Sequence, residues 1–127
     1  MNKQEYIKRL EELNFDKEKF CIMSGGAMVF HDIREQTSDV DLKIMPEYFK
    51  ELSKKYDIKP SSKNYEDLYV FADDVELKVA SFSEDEVDFI DGYMVRKLEK
   101  ELEWKLEYNR PKDEEDIRKI KERLKIL

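Results

Sequence analysis

Apolar and polar positions along this chain repeat with two different periods, and the changes of period mark its elements. Residues 2–13 repeat at helical spacing, with Tyr6, Leu10 and Leu13 on one stripe and Ile7 beside it. Phe20-Cys21-Ile22-Met23 is an apolar run that stops at Ser24-Gly25-Gly26, after which Ala27-Met28-Val29-Phe30 opens a new one. That order predicts a strand over 20–23, a tight turn and a helix start. Val40, Leu42 and Ile44 alternate with Asp39, Asp41 and Lys43, so a strand over 39–44 has one apolar and one charged face. Pro46 suits a first helical turn, and Phe49, Leu52 and Tyr56 follow at helical spacing. Ile58 fits a short strand that Pro60 ends, before a polar loop over 60–67. Residues 68–72 and 75–80 flank Asp73-Asp74 as a β-hairpin, and Val75, Leu77 and Val79 again alternate with Glu76, Lys78 and Ala80. Residues 83–91 are acidic and follow neither period. Residues 93–109 predict a long helix with Met94, Leu98 and Leu102 on one stripe, which Lys105 continues and Asn109-Arg110-Pro111 breaks. A last helix over about 112–125 buries Ile117, Ile120 and Leu124.

These elements predict an α+β domain, a mixed β-sheet flanked by helices. The two alternating strands turn their apolar faces to the helices and their acidic faces into a common cleft. At 127 residues the chain predicts a single domain, 1–127, with C-terminal helices over about 93–125, long enough to bury a core. The lone Cys21 lies in an apolar run and reads as a buried structural thiol in a reducing, cytoplasmic setting. No membrane-spanning apolar run or signal peptide is visible, so a soluble protein without a membrane partner is expected. The net charge of −7 argues against a broad electrostatic grip on nucleic acid. It is unevenly spread: residues 96–127 carry 11 Lys/Arg against 9 Asp/Glu, leaving 13 against 22 in the rest.

Candidate chemistry sits at two places. Glycines after a strand let a ligand approach the backbone, and a helix start offers N–H groups to a phosphate. Asp39 and Asp41 share a strand face, where aspartate is disfavoured and where two carboxylates repel. A divalent cation with oxygen preference answers that repulsion. Lys105 on its apolar stripe fits three roles equally: a stem laid over the core, a phosphate contact, or a partner for an acid. Lys112, Asp113 and Asp116 open a helix, where acids suit capping, which is the reading taken for Asp116. His31 reads as a helix-end residue.

Gly25-Gly26, then Arg34-x-x-Thr37-x-Asp39-Val40-Asp41-Leu42, and at the C-terminus Arg110-Pro111-Lys112-Asp113-x-x-Asp116-Ile117, resemble the signature of the nucleotidyltransferase superfamily with the DNA polymerase β-like fold. The resemblance covers most of residues 20–120 and is nearest to small prokaryotic members, including the abortive-infection toxin type. It implies transfer of a nucleoside monophosphate from an NTP to an acceptor hydroxyl with two Mg²⁺ or Mn²⁺ ions. Asp39, Asp41 and Glu76 match the catalytic, metal-binding carboxylates. Glu76 stands where aspartate is more usual, and Asp73 and Asp74 are neighbouring alternatives. Ser24, Gly25 and Gly26, with Lys105, Lys112 and Asp113, match the nucleotide-binding side, and the match favours a site role for Lys112 and Asp113. The acceptor is open among a small molecule, a tRNA end and a protein, and a homodimer or partner subunit is compatible with the short C-terminus. The alternatives are a degenerate nucleotide-binding module and a partner-binding module, both without turnover.

Overall fold

The computed structural model describes residues 1–63 and 65–125. Residue 64, inside the loop predicted over 60–67, lies outside the described residues. The chain runs α1 (Lys3–Leu13), β1 (Phe20–Ile22), α2 (Ser24–Phe30), β2 (Val40–Ile44), α3 (Pro46–Lys55), β3 (Lys59–Pro60), β4 (Leu68–Ala72), β5 (Val75–Val79), β6 (Val87–Ile90), β7 (Tyr93–Arg96), α4 (Leu98–Tyr108) and α5 (Glu114–Leu124). Local signals account for most boundaries. Asn2 caps α1 in a capping box with Glu5, and Pro46 occupies the first turn of α3. Asn14 and Asn109 close α1 and α4 in the left-handed conformation.

The strands form one seven-stranded mixed sheet in the order β3-β4-β5-β2-β1-β7-β6. At its centre β2 runs parallel to β5, in a register that sets Asp41 beside Glu76, Leu42 beside Leu77 and Lys43 beside Lys78. One face is apolar: Val40, Leu42, Ile44, Val75 and Leu77 are fully buried with Tyr6 and Leu10 of α1, Met28 and Phe30 of α2, and Leu52 of α3. Burying a side chain of this size contributes about 1.5–3 kcal/mol, so this layer is the core on which the charged face rests. On the other side Cys21, Val87 and Met94 make a smaller cluster. Burial pushes the Cys21 thiol up to about 12, that of an inert structural cysteine. No helix among the described residues is long and apolar enough to cross a membrane.

The long helix predicted over 93–109 is corrected here. Residues 93–96 are the strand β7, which pairs parallel to β1 and antiparallel to β6, and the helix begins at Leu98. Asp91 and Gly92, both at positive φ, form the two-residue turn between β6 and β7. Asp-Gly is the residue pair that a primed hairpin turn demands. The unassigned acidic stretch 83–91 therefore holds a short 3₁₀ turn and the edge strand β6.

Candidate active site

On the polar face of the sheet lies a cleft of about 510 Å³. The strands β2 and β5 form its floor, the start of α2 one side, and the C-terminal half of α4 with the Arg110–Asp113 turn its far wall. Asp39, Asp41 and Glu76 all line it. Asp41 and Glu76 are register partners, so their side chains stand side by side on one face, roughly 5 Å apart at Cβ. Asp39 precedes β2 and is exposed. Removal from water, then the neighbouring Glu76 carboxylate, push the Asp41 carboxyl up to about 6, with Asp39 and Glu101 adding and Lys63 opposing. The Lys63 ammonium, from the loop before β4, lies 2.5 Å from Glu76 Oε1 and feels Asp41 and Asp39 as well. It is a cation standing against the acidic pair.

Asp73 and Asp74 do not join the site. Asp74 takes a two-pronged hydrogen bond from Arg9 at 2.8 and 3.0 Å, and neither residue lines the cleft. All the donors on the acidic side are carboxylate oxygens, the chemistry of a hard divalent cation. The described residues nevertheless contain no preformed group of three His, Cys, Asp or Glu able to hold a metal. Asp41 and Glu76 fit as a pair of ligands, with Asp39 on the rim.

Ser24 and Gly25 line the cleft, but Gly26 does not. A Cβ on Gly26 would meet Tyr6 Oη at 2.3 Å and Ile22 Cγ2 at 2.8 Å, so this glycine is required by packing of α2 on α1 and β1. One on Gly25 would meet Thr37 Oγ1 at 2.2 Å. Ser24 has the left-handed φ of 57°, and its N–H donates to Glu101 Oε1 at 2.7 Å. Glu101 is fully buried with Arg96 4.0 Å away. A protein carboxylate thus takes the first N–H of the turn that the sequence assigned to phosphate.

Lys105, Lys112 and Asp113 also line the cleft. Lys105 and Asp113 are buried as a pair at 3.3 Å, and Lys105 lies 3.6 Å from Asp116. Arg110 donates to both oxygens of Asp113, and Arg34 to both of Asp116. Burial raises the Asp113 carboxyl, but Arg110 and Lys105 outweigh it and hold the group below its ordinary value. Of the three roles open to Lys105, the structure therefore displays the pairing with acids. Asp116 is corrected: it makes no cap hydrogen bond and instead ties α5 to Arg34 and Lys105. His31 closes α2 as expected, with Nε2 3.0 Å from the Arg96 carbonyl oxygen. Further lining residues carried no role in the sequence reading: Lys43, Lys63, Tyr65, Arg96, Trp104 and Tyr108. Only Trp104 and Tyr108, one helical turn apart, left a signal in the sequence.

No protein-family model matches the chain, and no curated protein matches it. A solved structure, that of a "putative nucleotidyltransferase (TM1012)" from Thermotoga maritima, is similar over 94% of this chain and 94% of its own, with a TM-score of 0.58 and 17% identity. The likeness is one of fold: a mixed sheet flanked by helices, the nucleotidyltransferase-like architecture.

Proposed function

We propose that the cleft is the active site of a metal-dependent nucleotidyltransferase, which moves a nucleoside monophosphate from an NTP to an acceptor hydroxyl. The observation that carries this reading is the Asp41–Glu76 pair, side by side on the two central parallel strands, with the Asp41 carboxyl pushed up to about 6 by burial and then by its neighbour. The nucleotidyltransferase-like fold supports it. The motif around Asp39-Val40-Asp41 further suggests a small prokaryotic enzyme of the DNA polymerase β-like kind, akin to the abortive-infection toxin type.

Asp41 and Glu76, with Asp39 from the rim, would hold two Mg²⁺ or Mn²⁺ ions. Bound there, the ions supply charge neutralisation at the attacking and leaving oxygens. The acceptor oxygen attacks the α-phosphorus, the bond to the β-phosphate bridging oxygen breaks, and pyrophosphate leaves. Glu76 takes the acceptor's hydroxyl proton. Ser24 and Gly25 border the phosphates from the α2 side, and Lys112 meets them from the opposite wall. Lys105 and Asp113 position that wall through their buried pair. Positioning and electrostatics carry such a transfer.

A second reading, nucleotide binding without turnover, is favoured by two features: the ammonium of Lys63 occupies Glu76, and among the described residues the three carboxylates are not gathered into one cluster. Incubation with each α-labelled NTP, Mg²⁺ and a cell extract separates the two. Label transferred to RNA, protein or a small molecule identifies both the activity and the acceptor class. Glu76→Gln is nearly isosteric and should abolish transfer and weaken Mg²⁺ binding. An exposed Glu–Lys pair contributes only about 0.2–1 kcal/mol, so a purely structural Glu76 would leave both unchanged, and that result would sink its assignment.

A further inference from the structure

The end of α4, the turn after it and the loop before β4 together bring three aromatic rings and a guanidinium into the cleft that holds the carboxylates. Trp104 and Tyr108 lie one turn apart on the helix, with ring centroids 4.4 Å apart and planes only 31° from parallel. Tyr65, from the loop before β4, meets Tyr108 edge-on at 6.0 Å and 73°. The Arg110 guanidinium sits 4.5 Å over the Trp104 ring and is itself held by Asp113. All four residues line the cleft. Tyr65 and Tyr108 nonetheless keep 40% and 46% of their surface exposed. The other large hydrophobics left in water among the described residues, Tyr56, Phe89 and Leu106, do not line this cleft.

We propose that Tyr65 and Tyr108, backed by Trp104, form the subsite that stacks the base of the donor nucleotide; the proposal rests on the nucleotide-binding reading of the cleft. Trp104 already has a cation over its ring and a tyrosine ring nearly parallel to its own. The surface left for a ligand is the corner made by the two edge-on tyrosines. Such a corner takes a flat ring against one face and offers the other ring's edge, and every nucleobase has a π-face to give it. The cavity has the size of a site for one small molecule, which fits a mononucleotide. Asp41 and Glu76, the carboxylates proposed to hold the metal ions, line the same cleft. One cleft thus offers both things an NTP needs: aromatic rings for a flat base, and carboxylates for the cations on its phosphates. Because stacking reads ring area and no pattern of donors, this wall gives little preference among bases.

Trp104 is the chain's single tryptophan, so its emission reports on this wall without interference. The full chain is titrated in Mg²⁺ with an α,β-methylene NTP and, separately, with inorganic tripolyphosphate, and binding is followed by calorimetry and by Trp104 fluorescence. The nucleotide should change the emission saturably, whereas tripolyphosphate, which carries the charge and no ring, should bind without that change. Tyr108→Leu should weaken nucleotide binding roughly 5- to 150-fold and leave tripolyphosphate affinity alone, and Tyr108→Phe should restore it. Tyr65→Leu, on a different element, provides the same test should the helix variant fail to fold. Nucleotide bound with unchanged emission and unaffected by either leucine variant would overturn the stacking subsite and leave the active-site reading standing. No binding of the nucleotide by calorimetry would overturn both.

Discussion

In the absence of metal, Asp41→Asn should stabilise this protein, by an amount that depends on pH. Desolvation is the largest cause of the raised Asp41 pKa and the Glu76 carboxylate the next. Together they move the group from 3.8 to about 6. The unfolded chain releases this proton near pH 3.8, whereas the folded protein keeps it to about pH 6. Folding between those values takes up a proton, so the stability that the neutral carboxyl allows is intact below the unfolded pKa and lost as pH rises through the folded one. A gap of roughly two units at about 1.4 kcal/mol each amounts to ~3 kcal/mol. An amide has the same shape and cannot ionise. Asp41→Asn should therefore gain little at pH 4 and up to ~3 kcal/mol at pH 8, on the order of 10 °C in Tm for a chain of this length. The assay is thermal or urea unfolding of both proteins in EDTA from pH 4 to pH 8, where the difference should rise as pH climbs from the unfolded pKa of 3.8 and level off above the folded value of about 6. Saturating Mg²⁺ should narrow or reverse the gap, because only the wild type has both ligands and gains by mass action. A variant less stable than the wild type at pH 8 without metal, or a difference flat across the range, would refute the reasoning.

Two other outcomes follow from the same geometry. Lys63→Met removes the ammonium 2.5 Å from Glu76 Oε1; since this pair is partly exposed, metal-free stability should fall by no more than about 1 kcal/mol, while Mg²⁺ affinity by calorimetry should rise because the ion no longer displaces a cation. Weaker Mg²⁺ binding in that variant would contradict the reading that the ion and the Lys63 ammonium compete for Glu76. Gly26→Ala forces a methyl within 2.3 Å of Tyr6 Oη and should cost about 1–3 kcal/mol of stability through overpacking; a wild-type Tm would show that α2 is free to shift and that packing does not require the glycine.

How much of this was legible in the chain depended on whether the signal was local. The alternation in Asp39–Ile44 and Val75–Val79 located both central strands, and since a strand's two faces follow from its period, it also placed Asp41 and Glu76 on one side. What no local pattern showed is that the two strands are direct neighbours. Residues 93–96 failed for a different reason. Met94, Leu98 and Leu102 happen to fall at helical spacing, but Tyr-Met-Val-Arg after Asp91-Gly92 is a strand leaving a primed turn, and the turn was the stronger signal. The buried charges were legible only in part: pairing with an acid was one of three roles open to Lys105, but its partners could not be named. Lys105, Asp113 and Asp116 pair across α4, the 3₁₀ turn Pro111–Asp113 and α5, so the acids look like surface residues until the helices are docked. Glu101 is the same case, with its partner, the Ser24 N–H, 77 residues away.

The charges of the cleft also bear on how an acidic protein would hold the proposed polyphosphate there. Most of its cations are already spent: Arg34 on Asp116, Arg110 and Lys105 on Asp113, and Arg96 beside Glu101. Lys43 differs. Burial, then the neighbouring Arg96, hold its ammonium below the ordinary lysine value, so its charge is one the site disfavours until an anion arrives. Lys43 stands two residues from Asp41 on the same face of β2, at a distance of roughly 7 Å along the strand. One strand thus presents, two residues apart, a carboxyl whose charge is disfavoured by burial and Glu76 and an ammonium whose charge is disfavoured by burial and Arg96. A free metal ion answers only the first and a free phosphate only the second, whereas a metal-bound polyphosphate answers both at once. Its binding would relieve the two unfavourable burials together, which a solvated polar face of the same composition has no means of doing.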